Sequence, residues 1–559
     1  MAAAFTSNVV IDESALKAHA RLSVGRVLVV AVLLAAELAI VVWPLPLHVA
    51  QSVSGHWDSF FGVWRLAWIA DAIRTPGVRL FDAPIFHPHG LTLAFSDAML
   101  FPSLLAAPLR YAGLTPVLTF NIVLAAAFLT SGLALFALVC RLTGSLEAGL
   151  VSATIFTFAS YRLDHLDHLE MQAAVFMPAG LWLWHRAVDR QSAAAAAGAV
   201  SMAVLQWLSA IYYGMLFAPY ALVMCAIEWE RVSRPSRARL LMAIAIAGVV
   251  GVIVVAWYSS PYLANRAATG DREPSVVAEY SATPLSYLAV HPRSALYGGL
   301  LSSFGSAETR LFPGLLALVL AGAGLARTPW NRRKWAYLAA GVVAFDLSLG
   351  TNGLLVPLLR EVALPYRGIR APARAGILVL LTVAVFAGFG TTVALACTRS
   401  RTRRYLVTAT LLLVLVVEYR TPPDVWAAPP SGEAQHMGLT RGAVAIELPV
   451  ALPERLDRSA DAWYMVARIG AWPSLVNGYS GYYPPEYLTL ADRIRLFPDD
   501  RAIKEIARVG VTVLAVHERF YGAQFKEIVD ALERRDDVER VGQYQEERYA
   551  VIVYRIAGR

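Results

Sequence analysis

Charge is scarce in this sequence: only 16% of its 559 residues are Asp, Glu, Lys or Arg, against 57% hydrophobic. With a mean hydropathy of +0.52, that composition excludes an ordinary soluble or disordered chain, since soluble domains carry about 25% charged residues. The protein reads as an integral membrane protein. Cysteine is nearly absent, and Cys140, Cys225 and Cys397 lie in or beside apolar runs with neither a CxxC pair nor His-spaced partners. A disulfide framework and a zinc site are thereby excluded. The chain also lacks any repeat of fixed period and any long low-complexity tract. Its net charge is +8 and its pI near 9.3, but the basic residues form short clusters between apolar runs instead of one continuous face. They read as topology signals, and no nucleic-acid partner is expected.

What the chain does have is long apolar runs. A span needs roughly 20 apolar residues, and about eleven segments qualify by that criterion, centred on 27–48, 117–140, 146–160, 172–188, 193–211, 213–229, 239–259, 312–326, 335–350, 375–397 and 404–420. The first is too long for a signal-peptide core and reads as an uncleaved span. The basic clusters are Lys17 to Arg26, Arg141, Arg186 with Arg190, Arg231 to Arg239, Arg327 to Lys334 and Arg399 to Arg404. Counted against the eleven spans, all fall on one side, so the N-terminus is expected in the cytoplasm. The loops 49–115, 161–171, 260–311 and 351–374, and everything after Thr421, then face outward.

These outward segments carry the chemistry. In Gly55 to Ser103, Phe60, Phe61, Trp64, Ala67 and Trp68 recur at helical spacing, predicting a helix lying on the membrane surface. It would hold Asp58, Asp71, Asp82 and Asp97, with His56, His87 and His89, near the headgroups. Asp58 reads either as a general base or as a helix N-cap. In the second loop, Asp164, His165, Asp167, His168 and Glu170 fall at spacings of three and four, so pairs of them share a helical face. Titratable groups are costly between two spans and point to function, although a solvated connecting loop would look similar. Arg367, Arg370 and Arg374 recur at spacings of three and four around Gly368 and Pro372, forming a cradle for a phosphate unless they simply snorkel to headgroups. Glu308 and Arg310, just above a span, either join the site or mark the bilayer edge.

From Thr421 the pattern changes. β-rich runs at Ala443–Leu448, Val509–Val516, Val538–Val541 and Tyr549–Tyr554 alternate with helical patterns at Asp500–Arg508 and Tyr521–Arg534. Residues 422–559 therefore read as an extracytoplasmic α/β domain of ordinary size. It has no GxGxxG, P-loop or GxSxG signature, so it reads as a cap or recognition domain. Its aromatics, Trp463, Trp472, Tyr479, Tyr482, Tyr483 and Tyr487 among them, suit stacking on sugar rings or packing against the membrane part.

The motifs WDSFFGVWRLAW, FDAPIFHPHGLTLAFSDAML, YRLDHLDHLEMQ, LFPG, PYRGIRAPAR and VNGYSGYYPP resemble those of bacterial members of the GT-C superfamily of integral membrane glycosyltransferases. The resemblance covers nearly the whole chain. It implies an α-helical polytopic membrane protein of about eleven spans over residues 1–421, in the bacterial cytoplasmic membrane. It also implies transfer of a sugar from a polyprenyl-phosphate donor to a glycan, lipid or protein acceptor on the outer face. Asp58 would be the acid of the first outer loop, Asp164 or Asp97 a second acid, and Arg367, Arg370 and Arg374 the donor-phosphate ligands; His165, His168, Glu170 and Glu308 would support them. The first loop lacks an Asp-Asp or Asp-Glu pair, which leaves a divalent metal such as Mg or Mn open. Two other classes fit the residues as well: a transporter or flippase of a glycolipid or polar solute, and a membrane protein that binds glycolipid without chemistry.

Overall fold

The computed structural model describes residues 22–55, 57–398, 400–429, 437–451 and 459–556. Lys17, Arg21 and His56 lie outside the described residues. Each of the eleven apolar segments coincides with a helix: α1 Val24–Val41, α4 Pro116–Thr143, α5 Leu146–Phe158, α6 Phe176–Arg190, α7 Ala193–Ser209, α8 Ile211–Glu228, α9 Arg234–Thr269, α10 Leu315–Arg327, α11 Arg332–Ser348, α12 Gly376–Ala396 and α13 Arg401–Tyr419. Two further helices, α2 Trp57–Arg74 and α3 Leu100–Tyr111, lie in the first loop. Among the described residues, five helices are long and apolar enough to cross a membrane: Val24–Val41, Pro116–Thr143, Ile211–Arg231, Arg234–Ala267 and Pro372–Ala396. Ala193–Ser209 and Leu315–Arg327 are apolar but shorter. The apolar runs thus all appear as helices, but five of them meet the test of length and composition, so the expected count of about eleven spans is not confirmed.

Local chemistry sets the helix ends. Ser23, Ser145, Ser192, Asn331 and Ser400 each accept a backbone N–H from the first turn of the helix they precede, satisfying donors that a helix start leaves orphaned. α4 ends at Gly144 in the left-handed region, φ 72°, and Ser145 starts the next helix. The basic clusters meet at this end of the bundle. Asp189 accepts from Arg141 at 2.8 Å, Arg231 at 2.9 Å and Arg333 at 2.8 Å, and Glu228 pairs with both Arg231 and Arg333. Arginines far apart in sequence therefore share acids at one end of the bundle.

Small residues let the central helices approach. α12 is buried along most of its length and crosses α10 where Gly390 abuts the Leu320 carbonyl and Gly324 abuts the Phe386 carbonyl. Where no hydrophobic effect drives helices together, such close contact is a main source of association.

After α13 the chain forms a five-stranded mixed sheet in the order β4-β3-β5-β7-β6, from β3 Val444–Leu448, β4 Ser474–Leu475, β5 Val513–His517, β6 Val538–Glu546 and β7 Tyr549–Ile556. β3 pairs in parallel with β4 and β5, and β7 pairs antiparallel with β5 and β6. This unit grips the first loop. β1 (Ser52–Ser54) pairs antiparallel with β2 (Val425–Ala427), Val53 opposite Trp426. α2 packs on α3 and α4 on one side and, on the other, on α14 (Ser459–Ala467) of the C-terminal region.

The expected surface helix is overturned here. Ser59 to Ala70 are buried without interruption, so α2 has no water-facing side. The reason is aromatic packing: Trp463 meets Phe60 at 6.0 Å, Trp472 meets Trp64 at 6.1 Å and Trp68 at 5.2 Å, and the Trp472 indole N–H donates to Asp71 at 2.7 Å. Tyr479, Tyr482, Tyr483 and Tyr487 serve docking in the same way, against Phe61, Phe95 and Phe86.

The α10–α12 crossing yields a test. Gly390→Ala should destabilise the detergent-purified protein by about 1–3 kcal/mol, read as a lower thermal midpoint. Gly322→Ala, whose added methyl meets nothing within 4 Å, should leave the midpoint unchanged.

Candidate active site

The loops 49–115, 161–171, 260–311 and 351–374 and the C-terminal region enclose a cavity of about 1110 Å³. Asp58, Asp97, Asp164, His168, Glu170 and Glu308 line it, with Arg370 and Arg374. Apolar side chains line it as well, among them Trp207, Ile211, Met215, Val255 and Leu263 of α7, α8 and α9. The space thus combines titratable groups with apolar wall, part of it from the longest helix.

Asp58 stands in the first turn of α2. The Tyr479 hydroxyl donates to its Oδ1 at 2.9 Å, and His168 Nε2 lies 3.8 Å from its Oδ2. On the far side of the imidazole, Nδ1 lies 2.8 Å from Asp167 Oδ1. Burial disfavours a charged His168, but the charges of Asp167 and Asp58 and the Asp167 hydrogen bond outweigh it and hold its pKa up to about 10.

The other two candidate acids differ in kind. Asp97 accepts from Met99 N–H at 3.0 Å and Ile211 N–H at 2.6 Å, so both oxygens are committed to backbone donors and it ties the first loop to the start of α8. Burial, with the nearby Glu170 charge, pushes its pKa up to about 6. Asp164 is enclosed: its side chain is 1% exposed, and its nearest cation is Arg310 at 3.7 Å. Burial raises its pKa to about 7 against the pull of His165 and Arg310.

The supporting residues form ion pairs. Glu170 meets Arg65 at 3.2 Å. Arg374 grips Glu308 with Nε at 3.1 Å and Nη2 at 2.6 Å; although burial acts the other way, Arg374 and His165 hold Glu308 well below the usual carboxylate range. His165 sits behind the cavity wall, between the Tyr161 carbonyl at 2.8 Å and Glu308 at 3.4 Å.

The three arginines of the fifth loop therefore part company. Arg370 lines the cavity, stacks over Tyr280 at 5.0 Å and pairs with no acid among the described residues. Arg374 is neutralised by Glu308. Arg367 does not line this cavity: its guanidinium donates to the Arg360 and Glu361 carbonyls and borders a separate space of about 370 Å³. Irregular backbone at Gly368 and Pro372 splits a spacing that a continuous helix would keep on one face.

Sequence order underweights three residues. Arg272 lines the cavity, donates to the Gly481 carbonyl at 3.2 Å and pairs with no acid among the described residues. Asp167 is visible in the second-loop motif but becomes distinct from its neighbours only through its bond to His168. Tyr479 reaches Asp58 across 421 positions of chain, a link that no local pattern signals.

Asp58, Asp167 and His168 each offer a ligand atom within 4.8 Å of one another. A divalent ion with ligands at about 2.1 Å spans at most about 4.2 Å between donors, so the 3.8 Å between His168 Nε2 and Asp58 Oδ2 already fits. Asp167 on Nδ1 would fix the ring, the usual arrangement behind a metal-bound imidazole. Mixed carboxylate and imidazole donors suit Mn as well as Mg, although the ion would have to displace the His168 proton.

No protein-family profile matches the chain, and no curated sequence matches it either. Solved structures do. The mycobacterial arabinofuranosyltransferase AftD superposes with a TM-score of 0.59 at 15% identity, over 96% of this chain and 42% of AftD. The archaeal oligosaccharyltransferase AglB from Archaeoglobus fulgidus gives 0.48 at 12% identity, over 90% of this chain and 70% of AglB. ArnT from Cupriavidus metallidurans, bound to undecaprenyl phosphate, gives 0.46 at 12%, over 95% and 98%. These neighbours are GT-C glycosyltransferases. On the AftD match, the chain has the GT-C fold, while spanning about two fifths of AftD's length.

The enclosed Asp164 gives a pH test. Its raised pKa means that the fold favours the neutral form, so its contribution is full below about pH 4 and is lost as pH rises through about 7. Asp164→Asn should therefore gain thermal stability relative to the unaltered protein as pH rises through that window, on the order of 2 kcal/mol at pH 8, with the gap closing at pH 4.

Proposed function

We propose that the protein is a membrane glycosyltransferase that moves a sugar from a polyprenyl-phosphate donor to a hydroxyl on a glycan, lipid or protein acceptor. The observation that carries this reading is one cavity lined by a tethered carboxylate, by two arginines that have no acid partner among the described residues, and by apolar side chains of α9. An anionic headgroup on an isoprenoid tail needs that combination, and a soluble nucleotide sugar does not need the apolar wall.

In this reading the polyprenyl chain lies along Val255 and Leu263, and the donor phosphate meets Arg370 and Arg272. Asp58 takes the proton of the acceptor hydroxyl. That oxygen bonds to the anomeric carbon as the bond from carbon to phosphate oxygen breaks, and the electron pair leaves with the polyprenyl phosphate. The arginines stabilise the charge that gathers on the departing phosphate. Asp58 and His168, oriented by Asp167, would hold a divalent cation, which when bound supplies positive charge beside the reacting groups. Eleven crossings with the N-terminus inside would place this site and the C-terminal domain on the outer face.

The test is transfer by purified protein from radiolabelled polyprenyl-phosphate sugars to mixed acceptors. Asp58→Asn should lower kcat by about 100-fold or more while leaving expression intact. Arg370→Ala should raise the donor KM by about tenfold or more, in line with about 1.5–3 kcal/mol for a charged hydrogen bond. Full activity in Asp58→Asn would remove the carboxylate from the mechanism. Fusion reporters after Thr421 should signal an extracytoplasmic tail; a cytoplasmic signal would separate the domain from the proposed outer face.

A further inference from the structure

The C-terminal domain reaches the candidate base through one loop. Asn477 anchors that loop inside the domain: its Oδ1 accepts from Glu447 N–H at 2.7 Å, and its Nδ2 donates to the Glu447 carbonyl at 2.9 Å and to Asp461 Oδ1 at 3.1 Å. Its own carbonyl accepts from Phe86 N–H at 3.1 Å. Gly478 follows with no room for a side chain, since a Cβ there would meet the Phe86 ring at 2.7 Å. Tyr479 N–H contacts Met465 Sδ at 3.2 Å, and its ring packs edge-on to Phe61 at 5.6 Å. Beyond it, Gly481 is held by Arg272. The hydroxyl of Tyr479 thus arrives at Asp58 on a loop fixed from both ends.

We propose that Tyr479 is a positioning residue for Asp58, so that the C-terminal domain forms part of the active site and is not a separate recognition module. The inference rests on the transferase reading above. A hydrogen bond to Oδ1 fixes the rotation of the carboxylate and keeps Oδ2 on the His168 side of the cavity, where the acceptor hydroxyl has to approach. A base held in place before the substrate arrives needs no reorganisation in the transition state. Docking alone does not account for this bond: the β1–β2 pairing, the Trp472 contacts with Trp64 and Trp68, and the Trp463 contact with Phe60 already hold the domain. The Asp58 side chain, moreover, remains 25% exposed to the cavity.

Tyr479→Phe removes one oxygen and keeps the ring against Phe61. With the full-length protein, radiolabelled undecaprenyl-phosphate sugars and a glycan acceptor, this variant should lose about tenfold in kcat while both KM values stay within about twofold. Its thermal midpoint and the hydrogen exchange of residues 474–484 should match the unaltered protein. Gly390→Ala, at the α10–α12 crossing and away from the cavity, supplies the contrast: it should lower the midpoint and leave kcat in place. Unchanged kcat in Tyr479→Phe, or a loss accompanied by a lower midpoint or a raised acceptor KM, would overturn the positioning role alone. Absence of transfer by the unaltered protein with every donor would overturn the transferase reading and this inference with it.

Discussion

The insertion of Trp472 against Trp64 and Trp68 decides where everything else in the site can be. α2 is buried along nearly its whole length, with Arg65 paired to Glu170 inside, so it is stable only when both its faces are covered. The bundle covers one face through α3 and α4, and the C-terminal domain covers the other through α14 and its indoles. Large aromatics dominate such contacts because each removes much apolar surface from water, and the indole N–H finds its partner in Asp71. Asp58 is carried on the first turn of this helix, with Ser59 bonded back to the Ser54 carbonyl at 2.7 Å. The carboxylate is therefore placed by a docked domain and a two-strand strap, neither of which belongs to the membrane bundle.

Electrostatics divides the molecule the same way. At one end of the bundle, arginines from three separate loops converge on Asp189 and Glu228 and are neutralised there. At the other, the cavity holds mixed charge in which most partners are spoken for: Arg65 by Glu170, Arg374 by Glu308, Arg293 by Asp424 and Arg266 by Asp271. A buried pair is a poor ligand, since separating it leaves two charges uncompensated. What distinguishes Arg370 and Arg272 is that they line the same space with no acid on them among the described residues, so an incoming anion displaces no carboxylate. Fold likeness to AftD supplies the frame for such a site, but the chemistry is written in these loop residues.

Much of the architecture could be read in the sequence because membrane spans obey a simple rule of length and apolarity. The apolar runs appear as helices, and the β-rich runs of the tail appear as β3, β5, β6 and β7. The first loop was misread for a physical reason. Phe60, Phe61, Trp64 and Trp68 at helical spacing look alike whether the covering phase is lipid headgroup or a protein domain, and the domain that covers them begins some 350 residues later in the chain. The arginine cradle was half legible: three residues at the right spacing were visible, but the backbone at Gly368 and Pro372 sends Arg367 away, and the partner that neutralises Arg374, Glu308, lies 66 positions upstream. Pairings over such distances, like Tyr479 with Asp58, are properties of the folded chain alone.

Three carboxylates near one cavity raise the question of which can act as a base, and their surroundings separate them. Asp97 has both oxygens bound to backbone N–H groups at the head of α8, so taking a proton would weaken contacts that hold a helix in place. Asp164 lies under the surface, its side chain 1% exposed and Arg310 3.7 Å away, and burial raises its pKa to about 7 against the pull of His165 and Arg310, so it is held but scarcely reachable. Asp58 combines a donor on one oxygen, the His168 imidazole facing the other and partial exposure to the cavity. A base must be held and reachable at once. The geometry grants both to Asp58, because the helix that carries it is pinned between two domains while its first turn still opens into the cavity.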